Sequence, residues 1–255
     1  MPELPEVERA VIELRRHLVG RKIVALEFHH PALKRRMTPK QRRSVAGARV
    51  MAVRRRGKHQ LIDLDDRRVL HAHFRMTGDW KAGEDAPLSR YPRATLRLDD
   101  GTSVVLDDPR ALSTIELVEA GVDSIPDLGP DADDPSLDAA WLARRFEKRR
   151  VAIKVVLLDQ TVMSGIGNIY ASESLWHALI DPRRPAQSLD SREVKRMLAS
   201  IRTVLRRATG VRYAEREARF DVYDRLDAKC RRCRGTIARI PQAGRSTYFC
   251  PTCQR

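Results

Sequence analysis

The arrangement Cys230-x2-Cys233-x16-Cys250-x2-Cys253 narrows what this chain can fold into more than any other stretch. Two Cys-x2-Cys knuckles facing one another across a short span have the spacing of a tetrahedral four-cysteine zinc site. Four thiolates leave no open coordination position, so such a metal holds a fold and does no chemistry. All four cysteines of the chain lie between positions 230 and 255, which excludes a disulfide framework for the rest. From Leu226 to Arg255, Lys229, Arg231, Arg232, Arg234, Arg239, Arg245 and Arg255 stand against Asp227 alone, the balance of a zinc-stapled hairpin that touches phosphate. The whole chain has 49 Lys+Arg against 34 Asp+Glu, a net +15 that favours a polyanionic partner. No run approaches the roughly 20 apolar residues of a membrane span, and the charged N-terminus lacks a signal peptide's apolar core. The expectation is a soluble, cytoplasmic protein with no membrane partner.

The other informative end is Met1-Pro2-Glu3-Leu4-Pro5-Glu6-Val7-Glu8. Removal of Met1, usual before a small residue, leaves Pro2 with a secondary amine. An α-amino group titrates near about 8, so part of it is an unprotonated nucleophile at neutral pH. It can attack an electrophilic sugar carbon and form an iminium, with the carboxylates of Glu3 and Glu6 near enough to move protons. The same residues are also good helix-start chemistry in any protein, proline in the first turn and acidic side chains beside the positive end of the helix dipole. The octapeptide alone leaves both readings open.

Between the two ends the period of the apolar residues changes. Val7, Val11, Leu14 and Leu18 make one face of a helix from Pro5 to about Val19. Period-two stretches follow at Lys22 to Phe28, Ala48 to Val53, Gln60 to Leu64, Val69 to Phe74, Ala94 to Leu98, Ser103 to Leu106 and Ser113 to Val118. A helix followed by six or seven short strands predicts a sandwich or barrel. The basic segment Lys34 to Arg43 reads as a solvated loop or a phosphate contact. Acidic, proline-spaced residues over 123–135 read as a linker. Helices are expected over Leu137 to Glu147, Ala152 to Leu158, Asn168 to Leu179 and Ser191 to Ala208, the last capped by Asp190. The turn Gly165-Ile166-Gly167-Asn168 lets the backbone bend sharply and presents helix N-terminal amides suited to phosphate, or simply joins two helices.

Six motifs, in this order along nearly the whole chain, carry a family resemblance: Met1 to Glu8, Gly57-Lys58, His73-Phe74-Arg75-Met76-Thr77-Gly78, Asp108-Pro109-Arg110, Gly165-Ile166-Gly167-Asn168-Ile169-Tyr170-Ala171 and Gly244-Arg245-Ser246-Thr247-Tyr248-Phe249-Cys250-Pro251. Together they resemble the formamidopyrimidine-DNA glycosylases of the Fpg/Nei family, and Leu4 is similar to the Fpg branch. The resemblance implies a multi-domain α+β enzyme: an N-terminal catalytic helix and β-sandwich (1–122), a linker (123–135), a helix-two-turns-helix domain (136–225) and a β-hairpin zinc finger (226–255). It implies a monomer that grips double-stranded DNA bearing a damaged base or an abasic site, with one structural zinc. Carried over by motif, Pro2 attacks C1′ of the damaged nucleotide, Glu3 assists ring opening and proton transfer, and Lys58 belongs with them in the catalytic set. Glu6 and Glu173 line the site. Lys58, His73, Asn168 and Arg245 contact flanking phosphates, Met76 and Leu112 fill the gap left by the extruded base, and Arg110 faces its orphaned partner.

Three stretches depart from the Fpg pattern. The usual Asp-Pro-Arg-Arg-Phe-Gly reads Asp108-Pro109-Arg110-Ala111-Leu112-Ser113, putting a leucine where the aromatic wedge stands. The glycine-rich loop that caps 8-oxoguanine corresponds to a shorter, charged stretch from Gly210 to Phe220. Tyr91-Pro92-Arg93 replaces a His-bearing segment. The sequence thus points to a bifunctional DNA glycosylase and abasic-site lyase of base-excision repair, acting on oxidised or ring-opened bases through a Pro2 iminium and β/δ-elimination. The alternatives are a Nei-like activity on oxidised pyrimidines or bulkier adducts, and a catalytically silent protein that binds damaged DNA. The last has no use for Pro2, Glu3 and Lys58 together.

Overall fold

Helix α1 (Leu4–Leu18) forms where the apolar spacing predicts, and Val7, Val11, Leu14 and Leu18 are all fully buried. The computed structural model describes residues 2–119, 125, 127–209 and 220–255. By internal contacts the chain divides into two units, Met1–Pro2 with Glu6–Pro126, and Glu3–Pro5 with Asp127–Arg255.

Among the described residues of the first unit, eight strands form two four-stranded antiparallel sheets. One has the order β1 (Ile23–Phe28), β6 (Pro92–Leu98), β7 (Ser103–Asp107), β5 (Asp79–Ala82). The other has the order β2 (Val50–Arg56), β3 (His59–Leu64), β4 (Val69–His73), β8 (Thr114–Val118). Alternating strand residues, among them Ile23, Val50, Ile62, Leu70, Leu96, Val104 and Ile115, share one core with the apolar face of α1.

The predicted sandwich is present, with one strand more than the sequence pattern reveals. Strand β5 is only four residues long, too short for its alternation of buried Trp80 and Ala82 with Asp79 and Lys81 to stand out. The basic segment Lys34 to Arg43, read as a solvated loop face or a phosphate contact, takes in the end of helix α2 (Pro31–Lys34) and most of α3 (Pro39–Ser44). Helix α3 buries no residue. It is made by its ends: Pro39 opens the first turn, and Thr38 and Gln41 close a capping box. Hydrophobic periodicity has nothing to detect there.

The second unit holds α4 (Ala139–Phe146), α5 (Ile153–Leu157), α6 (Asn168–His177), α7 (Ser191–Ala208) and the hairpin β9 (Ala238–Gln242) with β10 (Arg245–Phe249). Asp190 caps α7 in a capping box with Glu193, as expected, and Val194, Met197, Leu198, Ile201, Val204 and Leu205 are buried along one stripe. Helix α6 is buried on nearly every side, including Tyr170, Glu173 and Trp176. Within the stretch read as a linker, Ala132 is fully buried and its N–H donates to the Ser164 carbonyl at 3.0 Å. The turn between β9 and β10 is Ala243-Gly244, both at positive φ (46° and 72°), the left-handed pair that matches strand twist in a two-residue hairpin.

Leu14 lies at the centre of the first unit's core. Its replacement by Ala leaves a void that well-packed neighbours fill poorly, so Leu14→Ala should cost about 2–5 kcal/mol in denaturant unfolding.

Candidate active site and nucleic-acid interface

The first unit presents one set of the expected residues. Pro2 is half-buried directly before α1, and Glu6, in the first turn of that helix, is buried. Lys58 follows Gly57, whose φ of +57° makes the tight turn from β2 to β3. His73 ends β4, paired with Thr114 of β8.

Its Nδ1 accepts the Arg75 N–H at 2.9 Å, which leaves the proton of a neutral ring on Nε2, pointing a donor away from the backbone. His59 and His71 stand beside it, joined by a 2.7 Å Nδ1–Nε2 hydrogen bond, and the His59 and His73 ring centroids are 4.7 Å apart. Burial, then His71 and the charges of Arg75, Lys58 and Arg56, push His59 down to about 4. Burial, then His59 and Arg75, push His73 down to about 3. The His59 and His73 rings are therefore neutral near pH 7, and burial lowers His71 in the same direction. Met76, Arg110 and Leu112 are exposed on two loops of this unit.

In the second unit the organising group is the carboxylate of Glu3. Its Oε2 accepts N–H groups from Gly167 at 2.7 Å and Tyr170 at 3.3 Å, and its Oε1 accepts the Ile169 N–H at 2.9 Å. These amides begin α6, at the positive end of the helix, where no turn precedes to accept them. The approach requires glycine. A Cβ on Gly167 would lie 2.5 Å from the Glu3 carboxyl carbon, and one on Gly165, at φ +98°, would lie 2.5 Å from Leu4 Cδ1.

Asn168, the first residue of α6, is half-buried and shared between its neighbours. Its Oδ1 accepts from Lys154 Nζ at 2.5 Å, and its Nδ2 donates to the Ser246 carbonyl at 2.9 Å. Lys154 also donates to Thr247 Oγ1 at 2.7 Å, so α6 and α5 are tied to β10 one and two residues beyond exposed Arg245. Lys154 is fully buried. Its ammonium is pushed down to about 8 by burial and by the charge of Arg245, against the pull of Glu3.

Glu173 is buried as well, and its carboxylate accepts the N–H groups of Asp221, Val222 and Tyr223, each at 2.9 Å. Burial raises its pKa against those three donors. The charged stretch from Gly210 to Arg219 lies outside the described residues.

Lys154 and Tyr223, which hydrogen-bonds Asn168, were not singled out by the sequence. A lone lysine in the apolar run Ala152 to Leu158 was the available signal for the first. His59 and His71 belong to the same group of unforeseen residues, and only their place in the fold gives them partners.

Among the described residues, the Sγ atoms of Cys230, Cys233, Cys250 and Cys253 lie within 4.8 Å of one another. The Cys230–Cys253 and Cys233–Cys250 separations are 3.9 and 3.4 Å. Tetrahedral zinc with Zn–S bonds of about 2.3 Å places sulfurs about 3.8 Å apart, so the donor set and its spacing fit one structural zinc. Trp176 Nε1 and the Arg232 N–H each donate to Cys230 Sγ at 3.4 Å, the outer contacts a thiolate ligand needs. Among the described residues no helix is long and apolar enough to cross a membrane.

Three family models tile the chain: the formamidopyrimidine-DNA glycosylase N-terminal domain over residues 1–115, its H2TH domain over 128–217, and the zinc finger found in FPG and IleRS over 228–255. A formamidopyrimidine-DNA glycosylase of Paracoccus denitrificans is 38% identical over 283 aligned residues, with both chains covered completely. A crystal structure of the Lactococcus lactis formamidopyrimidine-DNA glycosylase bound non-covalently to DNA containing an abasic site superposes with a TM-score of 0.90, 30% identity and 99% of each chain covered. The same Lactococcus enzyme in complex with DNA containing an oxidised pyrimidine gives a TM-score of 0.90 at 30% identity, with both chains fully covered. An N-terminal helix on a β-sandwich, an H2TH domain and a four-cysteine finger together define a DNA glycosylase of base-excision repair. Within that class, the chain belongs to the formamidopyrimidine-DNA glycosylase family.

Two outcomes follow from the second unit. Stripping zinc with a chelator should unfold the finger, abolish its melting transition and weaken DNA binding sharply in fluorescence anisotropy. For Lys154, the unfolded chain holds its proton up to about 10.5 while the folded one releases it near 8. Between those values the unfolded state binds more protons, so the contribution of residue 154 to stability rises with pH. The melting temperature of the wild type relative to Lys154→Met should accordingly shift in favour of the wild type from pH 8 to pH 10.

Proposed function

We propose that this enzyme excises oxidised or ring-opened bases from double-stranded DNA and cleaves the resulting abasic site, with the amine of Pro2, exposed by removal of Met1, as nucleophile. The observation that carries the reading is the Glu3 carboxylate, pinned by three amides of the Gly167–Tyr170 turn in the residue next to that amine. A carboxylate held this firmly is positioned for one proton-transfer task rather than left to solvent.

The amine attacks C1′, and the C1′–N bond to the base breaks with the base leaving. The Pro2 nitrogen gives up its proton to Glu3, the C1′–O4′ bond then breaks to leave an iminium between Pro2 and C1′, and Glu3 passes that proton to the ring oxygen. The iminium acidifies C2′, so loss of that proton expels the 3′ phosphate, and a second elimination expels the 5′ phosphate. Lys58, His73 through its Nε2 proton, Asn168 and Arg245 hold the phosphates flanking the lesion. Met76 and Leu112 fill the vacated stack and Arg110 faces the orphaned base. Glu6 supports the network around Pro2. Glu173, a further lining residue, holds the backbone at 221–223. Zinc keeps the hairpin folded so that Arg245 is presented at its tip, and no step runs through the metal. The enzyme works in the cytoplasm, on the nucleoid.

A second reading is activity on oxidised pyrimidines. It is favoured by the likeness to the Lactococcus enzyme in complex with that class of lesion and by the smaller wedge at Leu112.

The deciding experiment is borohydride trapping on a duplex with a single abasic site, after mass spectrometry has established loss of Met1. The wild type should form a stable covalent complex, and a variant with an N-terminal extension that makes the Pro2 nitrogen an amide should lose it by a factor of about 100 or more, on the order expected for removal of a nucleophile. A wild type that binds the duplex without cross-linking overturns the lyase assignment.

A further inference from the structure

The two loops that bear Met76, Arg110 and Leu112 are joined in a way the family pattern does not provide for. Both are crossings between the sheets of the sandwich. One runs from β4 to β5, the other from β7 to β8, and the strand pairs at their roots are in register, His73 with Thr114 and Asp79 with Asp107. The loops therefore start and finish side by side.

At their centre is Asp108, fully buried. Its carboxylate accepts the Thr77 hydroxyl from the first loop, and from its own loop the N–H groups of Arg110 at 3.1 Å, Leu112 at 2.8 Å and Ser113 at 2.8 Å. The Ser113 hydroxyl lies 2.8 Å from Asp108 Oδ2 and 3.1 Å from the Phe74 carbonyl oxygen. It sits in the space above Gly78, where a Cβ would come within 2.2 Å of it. Each loop also contains a non-glycine residue in the left-handed region, Arg75 at φ 58° and Ala111 at φ 53°. Such conformations persist where surrounding bonds over-determine them.

We infer that Ser113 is a positioning residue: its hydroxyl, lodged between Asp108 and the Phe74 carbonyl, fastens the two loops into one rigid wedge that enters the base stack already ordered. The inference rests on the glycosylase reading above. Where the Fpg pattern has Phe-Gly, this chain has Leu112-Ser113. A glycine offers no hydroxyl and a leucine gives up aromatic stacking, so the tie and the smaller wedge occur together. A wedge whose backbone is fixed before contact loses less conformational freedom on insertion, which offsets the weaker stacking.

The test is stopped-flow fluorescence of a duplex with 2-aminopurine opposite a tetrahydrofuran abasic analogue, whose emission rises as the base unstacks. Anisotropy reports overall binding of the same duplex. Ser113→Ala and Ser113→Gly should slow the unstacking step about fivefold or more, the worth of one net hydrogen bond. The effect should appear in that rate and not in the initial association, and the melting temperatures should stay within a few degrees of the wild type. Variants that bind and unstack the reporter at the wild-type rate overturn the role of Ser113. So does a slowing that merely tracks a large fall in melting temperature. Failure of the underlying reading looks different: a wild type that neither cross-links to an abasic site under borohydride nor unstacks the reporter.

Discussion

The Glu3 carboxylate is the contact on which the rest depends, because it is the longest reach in sequence and the least replaceable in chemistry. It meets the amides of Gly167, Ile169 and Tyr170, more than 160 positions away along the chain. Those amides have no partners within α6, so without an acceptor they would be buried and unsatisfied. Leu4 follows Glu3 into the same place, its N–H bonded to the Gly165 carbonyl at 3.0 Å and its side chain buried among Ile166, Ile169 and Tyr170 in one core. Glu3 and Leu4 are thus held within the second unit at a turn that two glycines make possible.

A hierarchy of supports leads outward from α6. Its first residue, Asn168, is clasped by Lys154 and by the Ser246 carbonyl, and its sixth, Glu173, holds the backbone at 221–223. Both supports are buried polar groups with their hydrogen bonds made within the protein. This is the condition under which burying charge is tolerable and, when met, the one that fixes geometry. The hairpin that presents Arg245 is fastened to this same helix by Lys154 and closed at its base by the cysteines, so its tip is placed by two unrelated kinds of bond.

Much of this was legible in the sequence for reasons that differ from element to element. The buried stripes of α1 and α7 repeat often enough to be read, the cysteine spacing has few solutions, and most strands show their period of two. What was hidden has a common cause, namely brevity or dependence on distant partners. Strand β5 is too short to have a period, and α3 is made by its caps without burying anything. Lys154 looks like an interruption in an apolar helix until Asn168 and Thr247 come to meet it. Asp108 was legible as part of a motif, whereas its work of gathering Thr77, Arg110, Leu112 and Ser113 exists only once the two inter-sheet loops are adjacent. Glu3 could be singled out from sequence as a carboxylate near an amine, but not as the group that satisfies the end of α6.

The finger has one more consequence. Cys230 and Cys250 are fully buried, while Cys233 and Cys253 are half-buried. A peroxide or hypochlorite molecule therefore meets one thiolate of each knuckle first, and a sulfenate formed there is a poorer zinc ligand than the thiolate it replaces. In an enzyme proposed to clear oxidised bases, the element that sets Arg245 is thus itself a target of the stress that produces those bases. Repair capacity would then depend on the cell's ability to reduce two partly exposed sulfurs as much as on the number of enzyme molecules.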